Sequence, residues 1–366
     1  MGKYFGTDGI RGVANETLDA RLAYLTGLAA ASTIRAASGK KPNAIIGKDT
    51  RISSDTIEAA LTAGLCSGGA DVSQPGVLPT PAVAYIARKT GADMGIVISA
   101  SHNPYEYNGI KIFDSRGFKL SDALEAEIER LIDSPDDLKP RSRAELGCVM
   151  PCQMGVADYV AHLARRASGN FGGMRIVVDC ANGAASYTAR RLFRAIGVNT
   201  RLMSYRPNGV NINRGCGSTD IESLRRAVTR GGYDVGFAFD GDADRCLIID
   251  DRGELIDGDM ILAVCARDMQ KRGELSGGAV VGTVMSNSGL DKFGDREGFR
   301  VLRAEVGDRN VLEMMLENGV CLGGEISGHT IFLDHSTTGD GQLVAVKFLS
   351  LMAQTKKKAS QLAAAV

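Results

Sequence analysis

The sequence of 366 residues lacks an excess of charge of either sign. Lysine plus arginine and aspartate plus glutamate number 43 each. A chain without net charge has no general electrostatic attraction for nucleic acid or an anionic membrane, so any recognition of anions must come from local clusters of positive charge. The N-terminus, MGKYFGTDGIRG, shows no basic segment followed by an apolar one, and no apolar stretch approaches the roughly 18 residues of a membrane span. We therefore expect a cytoplasmic protein with neither a nucleic-acid nor a membrane partner.

Paired cysteine spacing is also missing. The eight cysteines lie mostly in or beside apolar runs, as Cys180, Cys246 and Cys265 do. Cys148 and Cys152 lie four residues apart, but no second pair of cysteine or histidine ligands lies near them to complete a tetrahedral zinc site. The pattern predicts reduced thiols in a reducing compartment and no bound zinc.

The chain does have a recurring order of apolar strand, Gly-rich polar loop and helix, which is typical of α/β units with mixed or parallel sheets. Helical spacing of apolar residues predicts helices at 18–37 and 53–67, the second capped by Ser53 or Ser54. Buried strands are predicted at 44–47, 94–99, 174–179, 234–239 and 279–284.

The length of the chain exceeds what one hydrophobic core supports. Two stretches rich in turn residues and poor in periodicity, 134–151 and 250–258, are typical of domain junctions. We predict three consecutive, similar α/β domains, at 1–151, 152–253 and 254–366.

The most informative stretch is IVISASHNPYEYNGIKIF, 96–113. A small polar loop follows its apolar strand, and in open α/β sheets ligands bind at that end, so the hydroxyl of Ser101 is placed for nucleophilic chemistry. His102 offers proton transfer, Asn103 can hold an oxyanion, and Lys111, after an Asn-Gly pair that predicts a turn, supplies positive charge. A loop serine is more often only a turn residue. These neighbours instead favour a serine that carries a phosphoryl group.

A second motif, FAFDGDADRCLIID, brings three carboxylates together, those of Asp240, Asp242 and Asp244. Their mutual repulsion favours a divalent cation, and all-oxygen ligands favour magnesium or calcium. A calcium EF-hand is excluded because Arg245 stands where the loop needs glycine and Asp251 where it needs glutamate. Magnesium with Arg245 beside it for phosphate fits better, and three solvated aspartates are the alternative.

Two further motifs are weaker when taken singly. In GGEISGHTIF, the alternation of Glu325, Ser327 and His329 would let a carboxylate and a hydroxyl bind sugar hydroxyls while the imidazole transfers a proton. An edge strand with one polar face has the same spacing. In FGTDGIRG, Arg11 follows a turn, and a single arginine is usually a surface residue.

Together, FGTDGIRG, ISASHNP with NGIK, DGDADR and GEISGH resemble the motifs of the α-D-phosphohexomutase family, in the family's order and spacing, and most closely its bacterial branch that acts on glucosamine phosphates. The resemblance implies three α/β domains around a central cleft. It implies that Ser101 is the phosphoserine and that Asp240, Asp242 and Asp244, together with Ser101, hold one Mg²⁺. It also implies catalytic roles for Arg11, His102, Lys111 and His329 and substrate binding by Arg245, Asp308, Arg309, Glu325 and Ser327.

The reaction implied by the resemblance interconverts glucosamine 6-phosphate and glucosamine 1-phosphate through a 1,6-bisphosphate, on the way to UDP-N-acetylglucosamine and the cell wall. The expected partner is thus a small hexosamine phosphate, and a homodimer stays open. Alternatives are a phosphomannomutase or phosphoglucomutase, a phosphatase, and a non-catalytic sugar-phosphate binding protein. His102, His329 and Lys111 all remain candidates for the general base.

Two departures from the family pattern qualify these expectations. Ile326 stands where the glucosamine enzymes usually carry glutamine, which weakens the expectation about the sugar. Nothing after Gly339 resembles the family's Arg-x-Ser-Gly-Thr-Glu loop, which belongs to a fourth domain and holds the non-reacting phosphate. From the sequence we expect a form without that domain and with slow turnover, because binding of a remote phosphate normally contributes to the transition state.

Overall fold

Three mixed sheets flanked by helices make up the part of the chain that the computed structural model describes, residues 2–6, 8–152, 154–364 and 366. Thr7 of the FGTDGIRG motif lies outside the described residues. Domains 1, 2 and 3 denote below the regions built on the first, second and third sheet. The boundaries predicted after residues 151 and 253 stay predictions.

Domain 1 is built on a seven-stranded sheet. Its strands are β1 (Phe5–Gly6), β2 (Gly9–Val13), β3 (Asn43–Lys48), β4 (Asp71–Val77), β5 (Met94–Ile98), β6 (Tyr107–Asp114) and β7 (Val149–Met150). Its helices are α1 (Ala20–Ser38), α2 (Ser54–Ser67), α3 (Thr80–Thr90) and α4 (Asp122–Asp133). The strand order is β1-β2-β6-β5-β3-β4-β7, with β4 and β5 parallel to β3 and β6 antiparallel to β5.

Domain 2 is built on a five-stranded sheet in the order β12-β11-β10-β8-β9. Its strands are β8 (Arg175–Asp179), β9 (Asn199–Met203), β10 (Val235–Phe239), β11 (Cys246–Asp250) and β12 (Leu255–Ile256), and its helices are α5 (Val156–Ala164), α6 (Ala185–Ala195) and α7 (Glu222–Gly231). Because β12 pairs with β11, the second sheet continues past residue 253.

Domain 3 is built on a four-stranded sheet in the order β14-β13-β15-β16. Its strands are β13 (Ala279–Thr283), β14 (Arg300–Ala304), β15 (Leu322–Gly324) and β16 (Thr330–Phe332). Its helices are α8 (Gly258–Lys271), α9 (Ser288–Glu297), α10 (Asp308–Asn318), α11 (Gly341–Thr355) and α12 (Ala359–Ala363).

One continuous apolar core joins the three domains. It includes Val97 of domain 1, Phe193 and Phe237 of domain 2, and Phe348 of domain 3, all with no exposed surface. Full burial of one such side chain contributes about 1.5–3 kcal/mol. The central strands β5, β10 and β13 are buried along their whole length, which explains their continuous apolar sequence. None of the helices among the described residues combines the length and the apolar character needed to cross a bilayer.

The capping role expected of Ser53 or Ser54 is wrong. Ser53 precedes α2 in a right-handed helical conformation (φ −73°, ψ −15°), and its side chain makes no capping hydrogen bond. Its hydroxyl accepts instead from Nδ2 of Asn108, 2.9 Å away, and the Ser54 hydroxyl donates to Asp49 over 3.1 Å. Both hydroxyls therefore serve tertiary contacts with neighbouring strands and loops.

Candidate active site

A cavity of about 370 Å³ lies between the loops that follow β5, β10 and β15. In open α/β sheets, ligands bind at the carboxyl ends of the strands. Here, loops from three sheets line one cavity. The predicted site residues that line it are Arg11, His102, Asp244, Arg245, Asp308, Glu325 and His329.

Ser101 is buried beside carboxylates of another domain. The residue is 1% exposed, and its backbone is left-handed (φ 51°), an uncommon conformation for a residue other than glycine. The hydroxyl donates to Oδ2 of Asp240 over 2.6 Å. Nδ1 of His102 lies 3.4 Å from the serine Oγ. The structure thus brings the predicted nucleophile of domain 1 against the carboxylates of domain 2.

The carboxylates of Asp240, Asp242 and Asp244 converge within 4.8 Å of one another and are buried. Burial, together with the charges of Asp244 and Asp242, raises the pKa of Asp240 well above its usual value. One carboxylate oxygen of Asp242 and one of Asp244 are buried without a hydrogen-bond partner among the described residues. Three hard oxygen donors with free lone pairs fit a divalent cation such as Mg²⁺.

Lys111 lies on β6 within reach of these carboxylates. Its side chain is 2% exposed, and Nζ lies 2.9 Å from Asp8, 3.1 Å from Asp242 and 3.6 Å from Asp244. Burial alone would lower the pKa of Lys111, but Asp242, Asp8 and Asp244 raise it above its ordinary value. Lys111 is therefore a fixed positive charge that offsets the carboxylate cluster.

The turn predicted before Lys111 is wrong. Asn108 and Gly109 lie inside β6, paired with β2. A Cβ on Gly109 would lie 2.5 Å from the carbonyl oxygen of Ser99, so glycine is required here by the close approach of two backbone segments and not by a turn.

Lys111→Met is expected to lower the free energy of unfolding by about 3–5 kcal/mol, because it leaves buried carboxylates without their counter-charge. Urea unfolding measures the change. The matched control is Lys3→Met, which removes an ion pair with Asp133 in which Lys3 is 62% exposed, and little change is expected there. Equal losses in the two variants would contradict the role given to Lys111.

The two candidate histidines differ in environment. Burial and then the charges of Arg245 and Arg11 lower the pKa of His102 to about 4, so this ring is neutral at pH 7. For His329, burial opposes protonation, whereas the hydrogen bond and the charge of Asp244 favour it and act to raise its pKa. Nε2 of His329 accepts from the N–H of Gly339 over 3.1 Å, which opposes a second proton there. Since that contact is direct, we take His329 to be neutral, with its proton on Nδ1 facing Asp244.

The residues expected to bind substrate divide into two groups. Glu325 lies at the cavity and accepts from the N–H of Gly307 over 3.1 Å, while the Nε of Arg245 is buried without a partner in the described part of the chain. Ser327 and Arg309 lie outside the cavity lining that the described residues form.

Arg309 joins domain 3 to domain 1. It donates to Asp122, to Glu125 at 2.8 Å and to the carbonyl oxygen of Leu120 at 3.0 Å. Asp308 is paired with Lys119 at 2.6 Å and still reaches the cavity. The predicted edge-strand alternative for Glu325, Ser327 and His329 is wrong, because they lie in the connection between the antiparallel strands β15 and β16, where His329 forms an isolated bridge with Arg245.

Comparison with known proteins extends this picture. Residues 2–139, 157–253 and 257–366 match the family models described as "Phosphoglucomutase/phosphomannomutase, alpha/beta/alpha domain" I, II and III, respectively. The chain is 49% identical over 364 residues to phosphoglucosamine mutase of Acetivibrio thermocellus, covering 99% of this chain and 81% of that protein. The chain belongs to the phosphoglucomutase/phosphomannomutase family. The enzyme of Moorella thermoacetica with the same name is also 49% identical, over 100% of this chain and 82% of its own length.

A solved structure agrees. A phosphoglucomutase/phosphomannomutase family protein from Burkholderia thailandensis superposes with a TM-score of 0.87 at 27% identity, covering 100% of this chain and 80% of its own. The predicted phosphohexomutase membership and the three-domain α/β architecture are confirmed.

Two further residues in contact with the predicted site, Asp8 and Thr80, are not among those expected from the sequence. Asp8 pairs with Arg11, with Lys111 and, at 2.5 Å, with Lys119. The hydroxyl of Thr80 donates to Asp242 over 2.6 Å. Asp8 belongs to the FGTDGIRG motif, in which only Arg11 is expected to act, whereas nothing in the local sequence marks Thr80.

Proposed function

We propose that the chain acts as a phosphoglucosamine mutase, converting glucosamine 6-phosphate to glucosamine 1-phosphate and back. The observation that carries this proposal is the 2.6 Å hydrogen bond from the Ser101 hydroxyl to Asp240, one of three converging carboxylates beside the cavity. Glucosamine is favoured over other hexoses because the relatives at 49% identity carry that name.

The proposed reaction transfers a phosphoryl group between Ser101 and a sugar hydroxyl. The bond from phosphorus to the serine oxygen breaks and a bond from phosphorus to the sugar oxygen forms. The proton of the sugar hydroxyl passes to a base, and the departing serine oxygen takes up a proton to become the hydroxyl. The resulting 1,6-bisphosphate reorients, and its other phosphoryl group returns to Ser101. Glucosamine 1,6-bisphosphate is thus both the intermediate and the expected activator.

His102 is the best placed of the three candidate bases. It is neutral, lines the cavity and lies 3.4 Å from the serine oxygen. Lys111 is enclosed by three carboxylates, and both ring nitrogens of His329 face protein groups. General base catalysis of this kind typically contributes 10²- to 10⁴-fold in rate.

We also propose that Asp240, Asp242 and Asp244, with an oxygen of phosphorylated Ser101, hold one Mg²⁺. When bound, the ion neutralises charge on the transferring phosphoryl group. Arg245 and Glu325 would contact the substrate at the cavity. All eight cysteines are free, which supports the reducing cytoplasm as the site of this reaction.

The test is to incubate the protein with Mg²⁺ and glucosamine 1,6-bisphosphate and to measure its intact mass. We expect the added mass of one phosphoryl group, mapped to Ser101, and interconversion of the two monophosphates seen by phosphorus NMR. The matched control omits Mg²⁺ in the presence of a chelator. Release of inorganic phosphate as fast as sugar phosphate disappears would replace the proposal with a phosphatase, and tight binding without isomer exchange would replace it with a binding protein.

A further inference from the structure

The loop that carries Ser101 is held through its carbonyl oxygens by side chains from two domains. From domain 1, Nη2 of Arg51 donates to the carbonyl oxygen of Ser101 over 3.0 Å and to that of Asn103 over 2.9 Å, and Nη1 donates to that of Pro104. From domain 2, Nδ2 of Asn213 donates to Ser101 over 2.9 Å and to Asn103 over 3.0 Å. The carbonyl oxygens of Ser101 and Asn103 therefore each accept one hydrogen bond from domain 1 and one from domain 2.

Arg51 is itself fixed by a buried network. Its Nε donates to Oδ2 of Asp49 over 2.9 Å, and the hydroxyl of Ser99 donates to the same oxygen over 2.6 Å. The N–H of Ser101 donates in turn to the Ser99 hydroxyl over 2.9 Å. Arg51 and Asp49 are each 2% exposed. Charge-assisted hydrogen bonds in a buried, water-free network are strong, and they hold each side chain in a single conformation.

These hydrogen bonds stabilise an unfavourable backbone conformation in the loop. The left-handed conformation of Ser101 persists only where surrounding contacts hold it. Gly241, in the aspartate loop, adds to the close fit, since a Cβ there would lie 2.6 Å from the Ser101 carbonyl oxygen and 3.0 Å from Nδ2 of Asn213. The carbonyl of Ser101 is thus packed as well as hydrogen-bonded against domain 2.

We propose that Asn213 is a positioning residue for phosphoryl transfer: together with Arg51 it holds the Ser101 loop so that the serine oxygen faces the domain 2 carboxylates. The inference rests on the proposed function and deepens it. Asn213 supplies the side-chain donors from domain 2, so a movement of that domain away from domain 1 removes them while Arg51 stays in place. The loop is then held in its transfer geometry only when the two domains are together.

The test uses Asn213→Gly, because Arg51 is buried and its removal threatens folding. Asn213 has a left-handed backbone (φ 57°), and glycine adopts that conformation without strain, so the variant removes the side chain without straining the backbone. The control is Asn15→Gly, the same change at another left-handed residue (φ 65°), in the turn after β2. We measure phosphorylation of Ser101 by the bisphosphate, kcat and KM for glucosamine 6-phosphate, and amide hydrogen exchange over residues 99–106.

For Asn213→Gly we expect kcat and the phosphorylation rate to fall about 10- to 100-fold, since misplacement of a reacting group by about 1 Å costs that much. KM should change less than about 2-fold, and exchange over residues 99–106 should rise about 10-fold, in line with the loss of about 1.4 kcal/mol of hydrogen bonding. Asn15→Gly should match the unmodified protein. An unchanged kcat in Asn213→Gly, with or without faster exchange, would overturn the positioning role. If the unmodified protein is never phosphorylated at Ser101, the proposed function fails, and the exchange rates still decide whether Asn213 holds the loop.

Discussion

Ser101→Ala is expected to lower the rate of glucosamine phosphate interconversion by about 10⁴-fold or more, because loss of a nucleophile removes the covalent route and leaves only binding and electrostatic effects. No phosphoenzyme should form. The variant also removes the hydroxyl that donates to Asp240, and loss of one hydrogen bond to a buried charged group costs about 1.5–3 kcal/mol of folding free energy. The protein should therefore fold but unfold at lower denaturant concentration.

The matched control is Ser32→Ala on α1, where the hydroxyl only donates to the carbonyl oxygen of Leu28 over 2.8 Å. Its interconversion rate should match that of the unmodified protein. Phosphorus NMR gives the rates and intact mass gives the phosphoenzyme for both variants. If Ser101→Ala retained the rate while showing no added phosphate, a serine phosphoenzyme could not be the intermediate, and the central proposal would be abandoned.

Asp240→Asn is expected to change activity and stability in opposite directions. Two like charges 4 Å apart repel by about 4 kcal/mol at an effective dielectric constant near 20. Lys111 already offsets part of this repulsion, so we expect the metal-free variant to gain about 1–2 kcal/mol of stability. Interconversion should fall about 10³-fold, since the asparagine is a neutral and weaker ligand for the ion that neutralises the transferring phosphoryl group.

Thermal unfolding with and without Mg²⁺ separates the two effects. At 100 times its Kd, Mg²⁺ should stabilise the unmodified protein by about 2.7 kcal/mol, and this gain should be lost in Asp240→Asn. Asp137→Asn, at an exposed ion pair with Arg130, serves as the control and should keep the Mg²⁺ response. An Asp240→Asn variant that is less stable than the unmodified protein without metal would contradict the repulsion inferred for the trio.

Much of the fold was predictable from local sequence because its central strands are fully apolar and are followed by polar loops. Strands β5, β10 and β13 begin and end within one residue of their predicted bounds. Asn108 and Gly109 were mispredicted because an Asn-Gly pair favours a turn locally, whereas pairing of β6 with both β2 and β5 outweighs that preference. Ser53 was mispredicted for a similar reason, since a tertiary partner, Asn108, binds its hydroxyl.

The site was predictable where its residues are close in sequence. The alternating aspartates from 240 to 244 converge as their spacing indicated. Contacts between distant segments left no local signal: Arg309 faces Asp122 and Glu125 of another domain, and Asn213 reaches the Ser101 loop across 112 positions. Arg51 could have been found, because it follows β3 just as Ser101 follows β5, at the strand end where sites lie.

The hydrogen bond between Ser101 and Asp240 also bears on how uniform a preparation of this protein can be. The bond needs the serine proton, and esterification by phosphate removes that proton and sets a second anion against the carboxylate. Without a bound cation, molecules with and without the ester should therefore differ in how strongly domains 1 and 2 associate, and a purified sample that mixes them should contain two species. Enzymatic dephosphorylation before crystallisation or scattering experiments should narrow such a sample to one.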